Sequence, residues 1–236
     1  MNVFGNLYLF PVPIAAHEPL THIPAANVAL VNKLRYFVSE NAKVARACLK
    51  LFAYPNIQEA TIEELNQHSD ARDVEAILSP LLAGHSMGLM SDAGCPAIAD
   101  PGAVLIKLAH QKGIRVIPLS GPSAIVLSIM ASGFNGQNFA FVGYLPIEQS
   151  PKVKRIKELE ALALRQQQAQ FFIETPYRNN QLFDLLLQHL QPHTLVYVGK
   201  DLSGNAEMVY STTVAEWKKR PKPDLHKIPV VFGIYA

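Results

Sequence analysis

Short apolar runs alternate along this chain with longer stretches in which apolar residues recur every three or four positions. The short runs, bounded by turn-forming residues, predict buried strands. The predicted strands are residues 7–10, 36–39, 88–91, 114–119, 139–145, 171–174, 194–199, 208–212 and 229–235. The longer stretches predict helices over residues 24–35, 42–52, 70–83, 123–132 and 213–219, and further helices that begin near residues 61, 100, 150 and 175.

The alternation of strands and helices continues on both sides of position 125. Such a pattern is typical of α/β proteins, in which helices cover a mostly parallel sheet. We therefore predict two tandem α/β domains, and we place them at residues 1–120 and 121–236. The apolar helix predicted after Ser123 is apolar nearly all round, so we expect it to be buried, in the region where the domains join.

The stretch from Leu89 to Ala124 predicts a strand-loop-helix-strand-loop unit. Asp100 followed by Pro101 is typical of a helix start, because Asp caps free N–H groups and proline suits the first helical position. Gly113 is placed to end this helix in a left-handed conformation. We expect its inward face to be formed by Val104, Leu105, Leu108 and Ala109.

Two loops rich in small residues, 92–99 and 120–124, follow the two strands of this unit. We expect the strands to be parallel neighbours, so that both loops lie at one sheet edge, where open α/β sheets bind ligands. Small side chains let a ligand approach the backbone closely. Asp92 is the one charged residue between Leu89 and Ala99. Each loop alone is better explained as a structural turn, with Asp100 as a cap, but the pair on one edge favours a ligand site.

Composition narrows the class of protein. Of 236 residues, 49% are hydrophobic and 17% are charged, which suits buried cores rather than disorder. The net charge of +2 gives no broad electrostatic attraction for nucleic acid, although a local patch stays open. Cys48 and Cys95 do not suggest a disulfide framework. With no basic region before Pro11 and no apolar run of membrane-spanning length, we expect a cytoplasmic protein that crosses no membrane.

One helix carries a run of basic residues near its start. These residues are Lys152, Lys154, Arg155 and Lys157. Most charge runs are solvated helix faces, whereas the alternative is a patch that attracts RNA phosphates. Four charges do not decide between the two, and we favour the solvated face.

Motifs of several enzyme classes are missing from the sequence. There is no HExxH and no Cys-x-x-Cys, so no metal site is expected. A Walker loop and a G-x-G-x-x-G fingerprint are also missing.

An ordered series of motifs resembles the tetrapyrrole methylase superfamily, and most closely its ribosomal RNA small-subunit 2′-O-ribose (cytidine) methyltransferase branch. The strongest motifs are SDAGxPxxxDPG from Ser91 and GIRVxPLxGPSA from Gly113. They are followed by ASG at 131–133, GYLP at 143–146 and FIETPYR at 172–178, and preceded by LYLFPVPI at 7–14. The resemblance therefore extends over nearly the whole chain.

The resemblance implies the tetrapyrrole methylase fold, with a cofactor cleft between two domains and S-adenosylmethionine as the cofactor. It implies a homodimer, with ribosomal RNA or the small ribosomal subunit as the partner. The positions that match the cofactor site of the family are Pro13, Ser91, Asp92, Cys95, Ser123, Ala124 and Glu174. Asp92 is expected to face the polar or cationic end of the cofactor, and the apolar residues to hold its adenine.

The segments that precede the motif-rich centre depart from the branch. It typically has EDTR where this chain has ENAK at 40–43, and a His-Glu-His-Asn run where this chain has NQHS at 66–69. A ribose hydroxyl needs help in losing its proton, and the candidate groups at strand exits are Glu40, His68, Glu174 and Lys200. We assign no catalytic base among them. Glu174 near Arg178 also has a structural interpretation, as an ion pair at the surface.

Three hypotheses follow. The first is a methyltransferase that modifies an RNA ribose 2′-hydroxyl, most simply in ribosomal RNA. The second is a methylase of a small, tetrapyrrole-like molecule, against which the missing glycine-rich first loop counts. The third is a cofactor-binding protein without turnover, which is suggested by the altered 41–43 segment.

Overall fold

The computed structural model describes residues 4–16, 20–66 and 71–236, without the side chains of 71–73. Two compact units, Met1–Ser123 and Ala124–Ala236, make up the chain. His68, which matches the second histidine of the branch's His-Glu-His-Asn run, lies outside the described residues, as do positions 67 and 69.

A parallel sheet forms the centre of the first unit. Its strands are β1 (Leu7–Phe10), β2 (Tyr36–Ser39), β3 (Thr61–Glu64), β4 (Met87–Met90) and β5 (Val116–Pro118), in the order β3-β2-β4-β1-β5. Every pair in this sheet is parallel. The helices of the unit are α1 (Ala25–Val31), α2 (Ala42–Leu51), α3 (Ala71–Ile77), α4 (Ser79–Leu82) and α5 (Ala103–Gln111), with a 3-10 turn at Ile57–Glu59.

Alternate residues of these strands enter cores on opposite faces of the sheet. In β4, Leu89 packs in a cluster with Leu78, Leu81 and Leu105. Its neighbour Met90 packs in a second cluster, whose other members include Phe10, Phe37, Val31, Leu49 and Phe52. A sheet covered on both faces buries strands that read as continuous apolar runs, which is why the sequence pattern identified them.

Three predictions about local structure in this unit are wrong. Thr61–Glu64 is the edge strand β3, not a helix start, because its backbone pairs with β2. The single helix expected over 70–83 is divided into α3 and α4, with Pro80 in the first turn of α4, where a missing N–H costs little. Helix α5 begins at Ala103, and the expected inward residue Val104 is 57% exposed.

A mixed sheet forms the centre of the second unit. Its strands are β6 (Phe139–Tyr144), β7 (Ala169–Ile173), β8 (Leu195–Lys200), β9 (Met208–Thr213) and β10 (Val230–Tyr235), in the order β6-β7-β10-β8-β9. Strands β6 and β7 are parallel and the other pairs are antiparallel. The helices are α6 (Ala124–Ser132), α7 (Gln149–Gln166), α8 (Asn179–His189) and α9 (Val214–Trp217), with a 3-10 turn at Pro176–Arg178.

The apolar helix α6 is not buried as expected. It turns its serines inward, with Ser128 and Ser132 buried, while Val126 is 53% and Met130 75% exposed. Helix α6 lies over β9 and β10, and the small serine side chains let it approach that sheet closely. Val126 and Met130 are thereby left on the outside, whereas Ile129 packs against the core.

Candidate functional site

Three loops meet at the carboxyl edge of the first sheet. The expectation that β4 and β5 are neighbours is wrong, because β1 lies between them and pairs with both. The two loops rich in small residues nevertheless lie at one edge, since all three strands are parallel. The loop that leaves β1, residues 11–14, therefore lies between them.

The loop after β4 is bound directly to the loop after β1. The Val12 amide donates to the Gly94 carbonyl at 2.9 Å, and the Gly94 amide donates to the Val12 carbonyl at 3.2 Å. The buried Ser91 hydroxyl donates within its own loop, to the carbonyls of Ala93 at 3.0 Å and Gly94 at 3.2 Å. Ser91 therefore holds the turn that carries Asp92.

Glycines bring the loop after β5 into the same cluster. A Cβ on Gly121 would lie 2.4 Å from the Pro11 Cβ, and a Cβ on Gly94 would lie 3.2 Å from the Ile14 Cγ2. The Cys95 Sγ lies 3.5 Å from the Pro122 carbonyl, to which it donates. The loops after β1, β4 and β5, residues 11–14, 91–99 and 119–123, thus form one packed assembly, which we call the three-loop edge.

The loop after β4 holds an unusual backbone conformation. Gly94, Ala97 and Ala99 adopt positive φ angles of 72°, 66° and 57°. Asp100 supports this conformation, because its Oδ1 accepts from the amides of Ala97 at 3.2 Å and Gly102 at 2.9 Å. The prediction that Asp100 caps α5 is therefore wrong. Its carboxylate caps the turn before the helix, and Gly102 is the N-cap residue of α5. Left-handed alanines cost free energy and are typical of functional loops.

Carboxylates gather at this edge. Glu40 leaves β2, the neighbour of β4, and its pKa is raised by burial and by the charges of Asp92 and Asp100. The pKa of Asp92 is likewise raised, by burial and then by Asp100. Neither Glu40 nor Asp92 has an ion-pair partner within the described part of the chain. The edge is therefore suited to receive a cation.

Cys95 is a packing residue of this edge and not a reactive thiolate. Burial raises the pKa of its thiol, against a smaller opposing effect of a hydrogen bond with Ser123. The thiolate is the nucleophilic form, so the neutral thiol is inert at physiological pH. Cys48, in the core, has its pKa raised by burial to about 12.

Two polar residues have structural roles that sequence reasoning overlooked. The buried side chain of Asn27, on α1, donates to the Ser120 carbonyl at 2.8 Å and so holds the loop after β5. Its signal was an amide among the apolar positions of a helix. Asn41, in the altered ENAK segment, caps α2 by accepting from the Lys43 amide, as an aspartate there would. The change at 41 therefore preserves a local structural role.

The sequence-predicted cofactor residues divide between the units. Five lie on the three-loop edge of the first unit, namely Pro13, Ser91, Asp92, Cys95 and Ser123. Ala124 opens α6 and Glu174 follows β7, both in the second unit.

Glu174 is fully buried and bound on both oxygens. Its Oε1 accepts from Arg178 at 2.8 and 3.0 Å and from the Thr175 amide at 2.8 Å, and its Oε2 accepts from the Lys152 Nζ at 2.5 Å. Burial alone would raise the pKa of Glu174, but the hydrogen bonds from Arg178, Lys152 and Thr175 outweigh it and lower the pKa. The interpretation of a surface pair with Arg178 is thus wrong, and so is the solvated-face assignment of Lys152, which is 1% exposed. An ionised carboxylate held in this way is a poor proton acceptor.

The described residues contain no group of three or more His, Cys, Asp or Glu placed to hold a metal ion. In the same part of the chain, no helix combines the length and apolar character needed to cross a bilayer.

Comparisons with known proteins bear on the whole chain. No family model matches it. Over 210 residues it is 29% identical to "Ribosomal RNA small subunit methyltransferase I" of Vibrio cholerae serotype O1, which covers 89% of this chain and 69% of the relative. Over 215 residues it is 26% identical to the protein of the same name from Escherichia coli O157:H7, which covers 91% of this chain and 71% of the relative.

A solved structure shares the fold. The crystal structure of the methyltransferase CobJ superposes with a TM-score of 0.63 at 14% identity, over 98% of this chain and 94% of that one. The predicted α/β fold of two tandem domains of the tetrapyrrole methylase type is therefore confirmed. With curated relatives matched over most of its length, the resemblance predicted from the motifs is confirmed as well: this chain resembles the tetrapyrrole methylases, and within them the ribosomal RNA small subunit methyltransferase I proteins.

Proposed function

We propose that this protein is an S-adenosylmethionine-dependent methyltransferase that methylates a ribose 2′-hydroxyl of ribosomal RNA. The observation that carries the proposal is the three-loop edge, where backbone loops and carboxylates meet at the position at which α/β sheets bind ligands. The printed names of the curated relatives support the reaction and the ribosomal RNA substrate.

The residues of the edge fit the proposed cofactor. S-adenosylmethionine carries a sulfonium cation and no phosphate, so it requires neither a glycine-rich phosphate cradle nor a metal ion. The carboxyl groups of Asp92 and Glu40 have raised pKa values, so their ionisation costs free energy in the protein without ligand. A bound cation would lower that free-energy cost. Pro13, Ser91 and Cys95 lie on the adjoining backbone, and we keep Ser123, Ala124 and Glu174 as proposed cofactor contacts.

The bound cofactor supplies a methyl group that is already activated for displacement. The work left to the chain is to hold the loops rigid, to place the acceptor hydroxyl and to receive its proton. Of the four candidate groups, Glu40 best fits the last task, because it lies at this edge, is half-buried and has a raised pKa. Glu174 is engaged on both oxygens, as described above.

The remaining proposals concern the setting of the enzyme. We propose a homodimer and a cytoplasmic location, in contact with ribosomal RNA or the small ribosomal subunit. Exposed apolar side chains in the second unit, among them Met130, support an apolar contact with a second copy.

Binding and transfer measurements test the proposed function. Calorimetric titration should detect S-adenosylmethionine binding, and the protein should transfer tritiated methyl groups to ribosomal RNA from cells that lack it. Glu40→Gln lacks one charge at the edge and should bind the cofactor more weakly, but even at saturating cofactor it should slow transfer by about 10²- to 10⁴-fold, the usual contribution of a general base.

The outcomes separate the hypotheses. No binding at millimolar cofactor would reject the methyltransferase proposal altogether. Binding without transfer to RNA would favour the protein without turnover, and transfer only to a tetrapyrrole-like acceptor would favour the small-molecule methylase.

A further inference from the structure

The second unit carries a basic and aromatic surface that the cofactor site does not use. Residues 218–227 read KKRPKPDLHK, with five lysines and arginines against one aspartate. These residues connect α9 to β10 without helix or strand, and all five cationic side chains are exposed. Beside them lies Tyr177, 70% exposed on the 3-10 turn at Pro176–Arg178.

The aromatic ring and the basic segment are held together. The Lys227 amide donates to the Pro176 carbonyl at 3.0 Å, and the Lys227 Nζ lies 5.7 Å from the centre of the Tyr177 ring. The His226 ring meets Tyr177 edge-on, with centroids 6.0 Å apart at 78°. Tyr177 is therefore a large exposed ring with a cation near its face and an imidazole packed nearly perpendicular to it.

Hydrogen bonds and an ion pair hold both the basic segment and the turn that carries Tyr177. The buried Asn179 donates to the Ile228 carbonyl at 2.7 Å, and the Leu225 amide donates to Asn180 at 2.8 Å. The turn that carries Tyr177 is fixed by the ion pair of its neighbour Arg178 with the buried Glu174. An exposed ring fixed in this way loses little conformational entropy when a ligand stacks on it.

The charges of the segment are largely available to an anion. Asp224 already accepts from Asn180 at 3.1 Å and from the His226 amide at 3.0 Å. Lys219 and Lys222 have carboxylate partners at the exposed surface, where ion pairs are weak. Lys218 and Lys227 have none among the residues described. Lys227 also adopts a left-handed φ of 59°, a strained conformation for lysine.

We infer that Tyr177 together with the basic segment 218–227 is a docking surface for single-stranded RNA. A base would stack on Tyr177, while Lys227 and its neighbours contact the flanking phosphates. Aromatic rings interleaved with cations are the usual means of binding unpaired RNA, because every base offers a flat face and every linkage a charge. The inference rests on the proposed function in one respect: it names how the ribosomal RNA partner is held.

Fluorescence anisotropy with a labelled single-stranded RNA oligonucleotide tests the surface. Tyr177→Leu should weaken binding by about 5- to 150-fold, whereas Tyr177→Phe, which keeps the ring, should bind as the unaltered protein does. Lys227→Gly should lower the slope of log affinity against log salt by about 0.7, the value for one phosphate contact on a single strand. Glycine tolerates the φ at this position, so this variant removes the charge without strain.

Two controls decide what a change in affinity means. Lys154→Ala removes an exposed charge from α7 of the same unit, and it should leave RNA affinity within about twofold of the unaltered protein. Calorimetric titration with S-adenosylmethionine should give the same affinity for the Tyr177 and Lys227 variants as for the unaltered protein.

Specific results would overturn the inference. They are unchanged RNA affinity in Tyr177→Leu, an equal loss in Lys154→Ala, or binding through this surface to phosphatidylserine vesicles but not to RNA. Failure of the unaltered protein to bind S-adenosylmethionine would instead reject the proposed function, and the RNA measurement would still stand on its own.

Discussion

Two carboxylates at the carboxyl edge of the first sheet, Glu40 and Asp92, lower the stability of the folded chain when they are ionised. The raised pKa values of Glu40 and Asp92 mean that their charged forms are less favourable in the folded chain than in the unfolded one. Proteins accept such costs where charge is needed for binding.

We predict that Asp92→Asn stabilises the protein without ligand at neutral pH, by up to about 1 kcal/mol for this exposed group. Because the folded pKa is raised, the cost of the charge appears as pH rises above the ordinary value of 3.8. The gain should therefore vanish below about pH 4, where the group is protonated in both states. Urea unfolding at several pH values measures it.

The same variant should bind S-adenosylmethionine about three- to tenfold more weakly, since it lacks one charge at the edge. Glu63→Gln, a charge-matched change at an exposed position of β3, should alter neither quantity. Unchanged cofactor affinity in Asp92→Asn would contradict the proposed position of the site.

For single residues, the prediction from sequence was wrong where a charged side chain, that of Lys152, occupies a core position. Lys152, Ile156, Leu159 and Ala163 recur at helical spacing and all are buried on one side of α7. The stripe was visible in the sequence, but Lys152 was grouped with the basic residues around it. Its partner Glu174 lies 22 residues away, and no local pattern reveals such a pair.

At the scale of secondary-structure elements, the strands could be predicted better than the order in which they pair. The strands themselves were largely predictable, because buried parallel strands are continuous apolar runs. Their order was not, since the insertion of β1 between β4 and β5 depends on pairing between segments about 80 and 110 residues apart. The short edge strand β3 was missed for a different reason, because its mostly exposed polar residues resemble a helix start.

Gly121→Ala should disrupt the packing of two of these loops. The added Cβ would lie 2.4 Å from the Pro11 Cβ, so one loop must move, at a cost of about 1–3 kcal/mol. We expect a lower melting temperature together with weaker S-adenosylmethionine binding. Gly136→Ala is the matched control, because a Cβ there meets nothing within 4 Å, and it should change neither measurement. If both variants behave alike, close packing of these loops is not what supports the site.

For the molecule as a whole, the exposed apolar face of α6 bears on the proposed homodimer. Met130 is 75% and Val126 53% exposed, and charged residues are absent from this helix. Met130→Glu should shift the proposed dimer towards monomer in sedimentation velocity, because it places a charge in an apolar contact. Leu164→Glu, at another exposed apolar position, on α7, should not. A monomeric unaltered protein would remove the basis of this prediction.

The central place of β1 has a consequence for how the chain is made. During synthesis this strand emerges well before both of its sheet partners, because β4 and β5 follow only after about 80 and 110 further residues. Until then its hydrogen-bonding edges are open to unwanted pairing, and closing such distant contacts is slow. Assembly of the three-loop edge must therefore await synthesis of β5, and until then β1 is the strand of this sheet most in need of chaperone protection.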